Sequence, residues 1–185
     1  DVSTLPEQLV DHILRCDQST KITHAVRHNM LRDSIAQALN HYGLRNRKEP
    51  IGVYTYPSIP DGRPDLLIYT NPPIAIDFSI VSHNDTIGNA ADAAATAKNT
   101  RHKEVVNKIG HRFYPWIIEG AGFIERDVMR CITDLSNFVP SHLVSHFIRD
   151  VIQTMMVTLA QGRSDAVLNT AMRKASNITF QGNTF

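Results

Sequence analysis

The segment that most constrains this chain is residues 63–81, RPDLLIYTNPPIAIDFSIV. Two apolar runs, 66–69 and 74–81, flank a turn at Asn71-Pro72-Pro73, a pattern that predicts two adjacent strands. In the second run Ile74, Ile76, Phe78 and Ile80 alternate with Ala75, Asp77, Ser79 and Val81, which is strand periodicity and puts Asp77 and Ser79 on one face. An aspartate, Asp65, opens the first run, and Asp77 lies inside the second. Most Pro-Asp pairs are surface turn residues. An aspartate within an apolar strand is more informative, because an unpaired buried charge is costly and needs a cation beside it. Two carboxylates carried on neighbouring strands could share one divalent metal, the arrangement of a nuclease core.

The elements on either side predict one α/β domain. Residues 5–16 read as a helix with Pro6 in its first turn, and residues 22–42 as a longer helix ended by Gly43. On that longer helix Ile22, Val26, Met30, Leu31, Ile35, Ala38, Leu39 and Tyr42 form the apolar stripe. Arg27, His28, Asn29, Arg32 and Asp33 form the polar side, which could equally be a solvated face. Residues 51–56 are expected to be a strand that completes a three-stranded meander with 66–69 and 74–81. An alanine-rich helix over 86–109 and a strand over 113–119 then predict a parallel crossover. Helices are expected at 123–136, 141–160 and 164–175, with breaks at 137–140 and at Gly162. Residues 176–185 read as a polar tail. The division expected is a nuclease core with N-terminal helices over 1–122, a helical extension packed on it over 123–175, and the tail, all in one compact domain.

With 185 residues and 42% hydrophobic content, the chain can bury a substantial core. The net charge of +1 hides local bias. Residues 21–48 hold Lys21, Arg27, Arg32, Arg45, Arg47 and Lys48 against Asp33, and residues 98–112 hold Lys98, Arg101, Lys103, Lys108 and Arg112 against Glu104. Such stretches suit an anionic partner, although solvated helix faces would look the same. The two cysteines, Cys16 and Cys131, form no disulfide framework, which points to a reducing compartment. His12 and Cys16, one helical turn apart, could be half of a zinc site, or simply two residues on a helix. No apolar run approaches the roughly 18 residues of a membrane span. The chain begins at Asp1 and is expected to be a piece of a longer protein.

Phosphodiester cleavage by such a site needs hard oxygen ligands around Mg2+ or Mn2+ and an amine to orient water or stabilise the phosphate. Asp65 and Asp77 supply the carboxylates, and a strand carbonyl near Phe78 could add a third oxygen. Many nucleases of this kind carry the lysine two residues beyond the second acid. Here Ser79 stands in that place, so the amine must come from the alanine-rich helix, which offers Lys98, Lys103 and Lys108.

Several segments together resemble the restriction-endonuclease-like domain of site-specific non-LTR (LINE-type) retrotransposon reverse transcriptases, a branch of the PD-(D/E)xK nuclease superfamily. These are DHILRC with THAVRHNMLRD, KEP with RPDLLIY and IAIDFSIV, the helix AAATAKNTRHKEVVNKIG, the strand FYPWIIEGAGF, and LAQGRSDAVLNTAM late in the chain. The resemblance implies a restriction-endonuclease-like mixed sheet flanked by helices. It implies Asp65 and Asp77 as metal-binding acids and Lys98 as the catalytic lysine, with Lys103 and Lys108 as alternates. Glu49, His28 and Asp33 match recurrent family positions and become supporting or metal-linked residues. Arg27, Arg32, Arg63 and Arg101 become candidates for contact with DNA. The chain departs from the family in lacking the first pair of zinc-knuckle cysteines. The activity implied is a nuclear endonuclease that nicks double-stranded DNA so that the new 3′-hydroxyl primes reverse transcription. Its partners would be the element RNA and the reverse transcriptase, with no membrane. The rival readings are an inactive nuclease fold that only binds DNA or protein, and a Holliday-junction-type resolvase.

Overall fold

The structure, a computed structural model, describes residues 17–54, 63–82, 86–120 and 122–181. The helix expected over 5–16, with His12 and Cys16, lies outside them. The chain runs through α1 (Asp17–His41), β1 (Asn46–Lys48), β2 (Leu66–Ile68) and β3 (Ile74–Val81). It continues through α2 (Asn89–Lys98), a π-helical turn (Asn99–Lys103), α3 (Glu104–Lys108) and β4 (Arg112–Glu119). It ends with α4 (Arg126–Ser136), a 3₁₀ turn (Ser141–Leu143) and α5 (Val144–Gln181).

The four strands form one mixed sheet in the order β1-β2-β3-β4. The first three pair antiparallel, and β3 pairs parallel with β4. A parallel neighbour cannot be reached by a tight turn, so α2, the π-helical turn and α3 fill the connection. The α/β class expected from sequence is present, with a helical layer on each face.

Strand periodicity decides which layer each residue meets. Ile74, Ile76 and Phe78 of β3, with Leu66, Ile68, Trp116 and Ile118, pack against Leu31, Ile35 and Leu39 of α1 and Phe147, Val151 and Met155 of α5. Full burial of each large side chain contributes about 1.5–3 kcal/mol. Cys131 and Leu135 of α4 join the same core. The opposite face is thinner: Ala75 and Leu67 meet Val106 and Phe113, and Ile117 meets Ala91 and Ala95. The small side chains of α2 let it lie close on this face, and Asp77 points into the same layer.

Several expectations are corrected. The strand preceding β2 is Asn46–Lys48, not 51–56; Ile51, Gly52 and Val53 form a turn, and residues 55–62 lie outside those described. Arg47 and Lys48 are exposed on this edge strand, where charge discourages further pairing. The helix expected over 86–109 is shorter and carries the π-helical turn. Gly162 does not break α5. A Cβ there would come within 2.8 Å of Arg27 Cγ, so the glycine lets α5 press against α1. The helix also continues through Gln181, where a polar tail was expected. On α1, Leu31, Ile35 and Leu39 are buried as the stripe predicts, but Val26 is exposed and Arg27 and Arg32 are buried, against expectation.

Candidate active site

β2 begins only at Leu66, while β3 continues for several residues beyond Ile76, the partner of Leu66. Extending the antiparallel register one step back from Leu66 sets Asp65 across from Asp77. The two acids therefore meet at a fork where one strand leaves the other. Asp65 takes over part of the missing ladder: its Oδ2 accepts the Phe78 N–H at 2.7 Å. The same oxygen lies 3.0 Å from His28 Nε2, which reaches over from α1. His28 also sets its ring edge-on to Phe78, at 6.4 Å between centroids.

Asp77 is held from the other layer. Lys98 Nζ, at the end of α2, lies 2.5 Å from Asp77 Oδ2. His102 Nε2 lies 3.1 Å from that same oxygen. Lys98 and His102 are four residues apart on the helical segment and so address one point, while Arg101 and Lys103 turn outward to solvent. The side chains of Asp65, Asp77, Lys98 and His102 are 15%, 9%, 20% and 4% exposed, so the acids and the histidine are enclosed and the lysine has a way out.

The electrostatics follow from this enclosure. Burial pushes the Asp65 carboxyl above its usual range, and the hydrogen-bonded Asp77 beside it adds to the rise against the pull of His28. Burial opposes ionisation of Asp77 as well. The His102 hydrogen bond and the Lys98 charge outweigh it and hold Asp77 well below the ordinary carboxylate range. The hydrogen bond to Asp65 raises the His28 imidazole. The His102 and Lys98 donors thus place the negative charge on Asp77 rather than on its neighbour.

The other expected residues occupy a second cluster. Arg32, 8% exposed, donates from Nε to Asp33 Oδ1 at 2.9 Å and from Nη1 to Glu49 Oε1. Arg63 Nη2 donates to Glu49 Oε2 at 3.2 Å, and Lys48 pairs with Asp33 at 3.2 Å. Glu49 adopts a left-handed φ of 44°, unusual for a residue with a Cβ, and donates its N–H to the Asp65 carbonyl at 2.8 Å. Glu49 and Asp33 therefore brace the segment that delivers Asp65. Arg27 and Arg32, expected on a DNA-facing side, are buried: Arg27 lies against Gly162 and donates to His24 Nδ1 at 3.3 Å. Arg63 and Arg101 remain accessible. Of the alternate lysines, Lys108 pairs with Glu104 at 2.8 Å and Lys103 is exposed.

Two residues of the site were not found from sequence. His102 gave no periodic signal; its only cue was its place one turn after Lys98. Glu119, fully buried at the end of β4, accepts the Gly88 N–H at 2.9 Å and the Ala91 N–H at 3.4 Å. It thereby anchors the N-terminus of the helix that carries Lys98.

No family model and no curated protein matches the chain.

Among the described residues, no three His, Cys, Asp or Glu side chains converge as a ready metal cluster. What the fork offers a divalent ion is two carboxylates set across from each other on neighbouring strands. Hard oxygen donors of this kind, fewer than a full shell, fit Mg2+ or Mn2+ rather than a thiophilic metal. No helix among the described residues is long and apolar enough to cross a membrane.

Proposed function

We propose that the chain is a restriction-endonuclease-like, metal-dependent DNA endonuclease of the PD-(D/E)xK kind. The observation that carries the reading is the fork itself: Asp65 and Asp77 set across from each other on neighbouring strands, with the Lys98 ammonium 2.5 Å from Asp77. Asp65, Asp77 and a β3 carbonyl would hold Mg2+ or Mn2+. When bound, that ion supplies a water of lowered pKa and a counter-charge for the leaving oxygen.

The protein's own groups do the rest. Asp77, held ionised, keeps a fixed negative charge in the fork. Asp65 is oriented by the Phe78 N–H and by His28. Lys98, on a flexible stem with an outlet to solvent, can turn its ammonium toward a phosphate oxygen or an attacking water. Arg101 and Lys103 are exposed and Arg63 half-exposed, and these cations would neutralise backbone phosphates.

The resemblance to retrotransposon endonuclease domains supports the finer reading: nicking of double-stranded nuclear DNA to prime reverse transcription, alongside the element RNA and a reverse transcriptase. The test is a supercoiled-plasmid nicking assay in Mg2+, Mn2+ and EDTA. Wild type should nick only with metal. Asp65→Ala and Asp77→Asn should not nick, yet should bind duplex DNA within about threefold of wild type. Metal-independent nicking, or full activity in Asp77→Asn, would refute the assignment. Binding without any nicking in either metal would favour the inactive module.

A further inference from the structure

We propose that His102 is a positioning residue that fixes Asp77 for the divalent ion and so releases Lys98 for the substrate; the inference rests on the nuclease reading above. Asp77 Oδ2 has two partners on one helical segment, and they differ in kind. Lys98 sits 2.5 Å away on a four-carbon stem and is 20% exposed. His102 sits 3.1 Å away, is 4% exposed, and packs its ring against Phe113 with 5.3 Å between centroids. An imidazole has two side-chain torsions, and this one is buried against Phe113, so it cannot follow a substrate. The lysine can.

The division of labour follows from charge and satisfaction. A buried carboxylate stripped of its partner costs several kcal/mol, so an ammonium that is Asp77's sole partner could not leave it cheaply. With His102 in place, Asp77 keeps a donor when Lys98 turns away. An ionised carboxylate only accepts, so the proton on this edge of the ring lies on Nε2 and is donated to Oδ2. That donor bond fixes the carboxylate plane at the point where it adjoins Asp65. Donors behind metal-binding groups typically contribute about 10–100-fold to metal affinity or activity. The i,i+4 spacing of Lys98 and His102 brings this second donor to the same oxygen as the first.

The experiment measures Mn2+ binding to the full 185-residue chain by electron paramagnetic resonance and by calorimetry, with plasmid nicking alongside. The proteins are wild type, Asp77→Asn, Lys98→Ala, His102→Ala and His102→Gln, with folding checked by circular dichroism. His102→Ala should weaken Mn2+ binding by about tenfold or more. His102→Gln, whose amide can offer a donor in the place of Nε2, should recover most of that loss. Lys98→Ala should abolish nicking while binding Mn2+ at least as tightly as wild type, because a competing cation is gone. Wild-type affinity in a folded His102→Ala, or a His102→Gln no better than His102→Ala, overturns the inference. Loss of Mn2+ binding in Asp77→Asn together with either result leaves the nuclease reading standing and removes this inference alone. Mn2+ binding that Asp77→Asn does not change removes both.

Discussion

Replacement of Glu119 tests whether the anchor of α2 governs both stability and chemistry. The Glu119 carboxylate is fully buried and accepts two first-turn N–H groups, from Gly88 at 2.9 Å and Ala91 at 3.4 Å. In Glu119→Ala those donors lose a partner in a dry setting. A stranded buried donor costs about 1–3 kcal/mol, and the longer of these two bonds belongs at the low end. Loss of a negative charge at a helix N-terminus adds about 0.3–1 kcal/mol. The variant should therefore be about 3 kcal/mol less stable, read by urea denaturation followed by circular dichroism. Glu119→Gln keeps the oxygen that takes both bonds and should fall between the two. Because α2 ends in Lys98, nicking in Glu119→Ala should drop by about tenfold or more under conditions where the protein is folded. A Glu119→Ala protein within about 0.5 kcal/mol of wild type would show that the α2 anchor lies elsewhere.

Four further outcomes are expected. Arg32→Ala should lose about 1–2 kcal/mol, since Asp33 and Glu49 are accessible enough to be rehydrated; fluorescence-detected unfolding checks this, and the salt slope of DNA binding should not change. Arg101→Ala should lower DNA affinity and reduce the slope of log K against log salt by about one, measured by anisotropy over a salt series. Gly162→Leu, which forces a side chain into Arg27, should lose about 1–3 kcal/mol by thermal denaturation. Cys131 is fully buried and burial pushes its thiol well above the usual range, so peptide mapping after brief iodoacetamide treatment of the native protein should find it unmodified.

The fork was legible because two independent signals met there. Alternation in 74–81 fixed the face of Asp77, and the short turn fixed β2 beside β3, so Asp65 had one place to go. Lys98 came from resemblance and not from spacing, since a lysine on a helix carries no mark of what it faces. β1 was missed because an edge strand of Asn46, Arg47 and Lys48 has no apolar face to reveal it. Arg27 and Arg32 read as the polar, DNA-facing side of the helix because charge outweighs burial in any periodicity argument. Their long stems are packed and their guanidinium groups hydrogen-bonded, which only the neighbouring α5, Asp33 and Glu49 make possible. Gly162 was read as a break, yet a helix glycine is equally a place where another element comes near. His102 stands one turn after Lys98, but a histidine on a helix, like the lysine, carries no mark of what it faces.

The strand fork divides the site into two rulers of different tolerance. Both acids belong to one hairpin, so the distance between them is set by residues 69–73 alone, and a one-residue slip of that pairing would carry Asp65 to the wrong side of the sheet. The amine and imidazole arrive by a separate route whose zero mark is Glu119, because the helix bearing them is pinned at its start by that carboxylate. Related sequences should accordingly vary in length between Val81 and Gly88 while keeping the 69–73 spacing constant, and a graft of this chemistry onto another sheet would have to copy the hairpin whole but could lengthen the path to the helix freely.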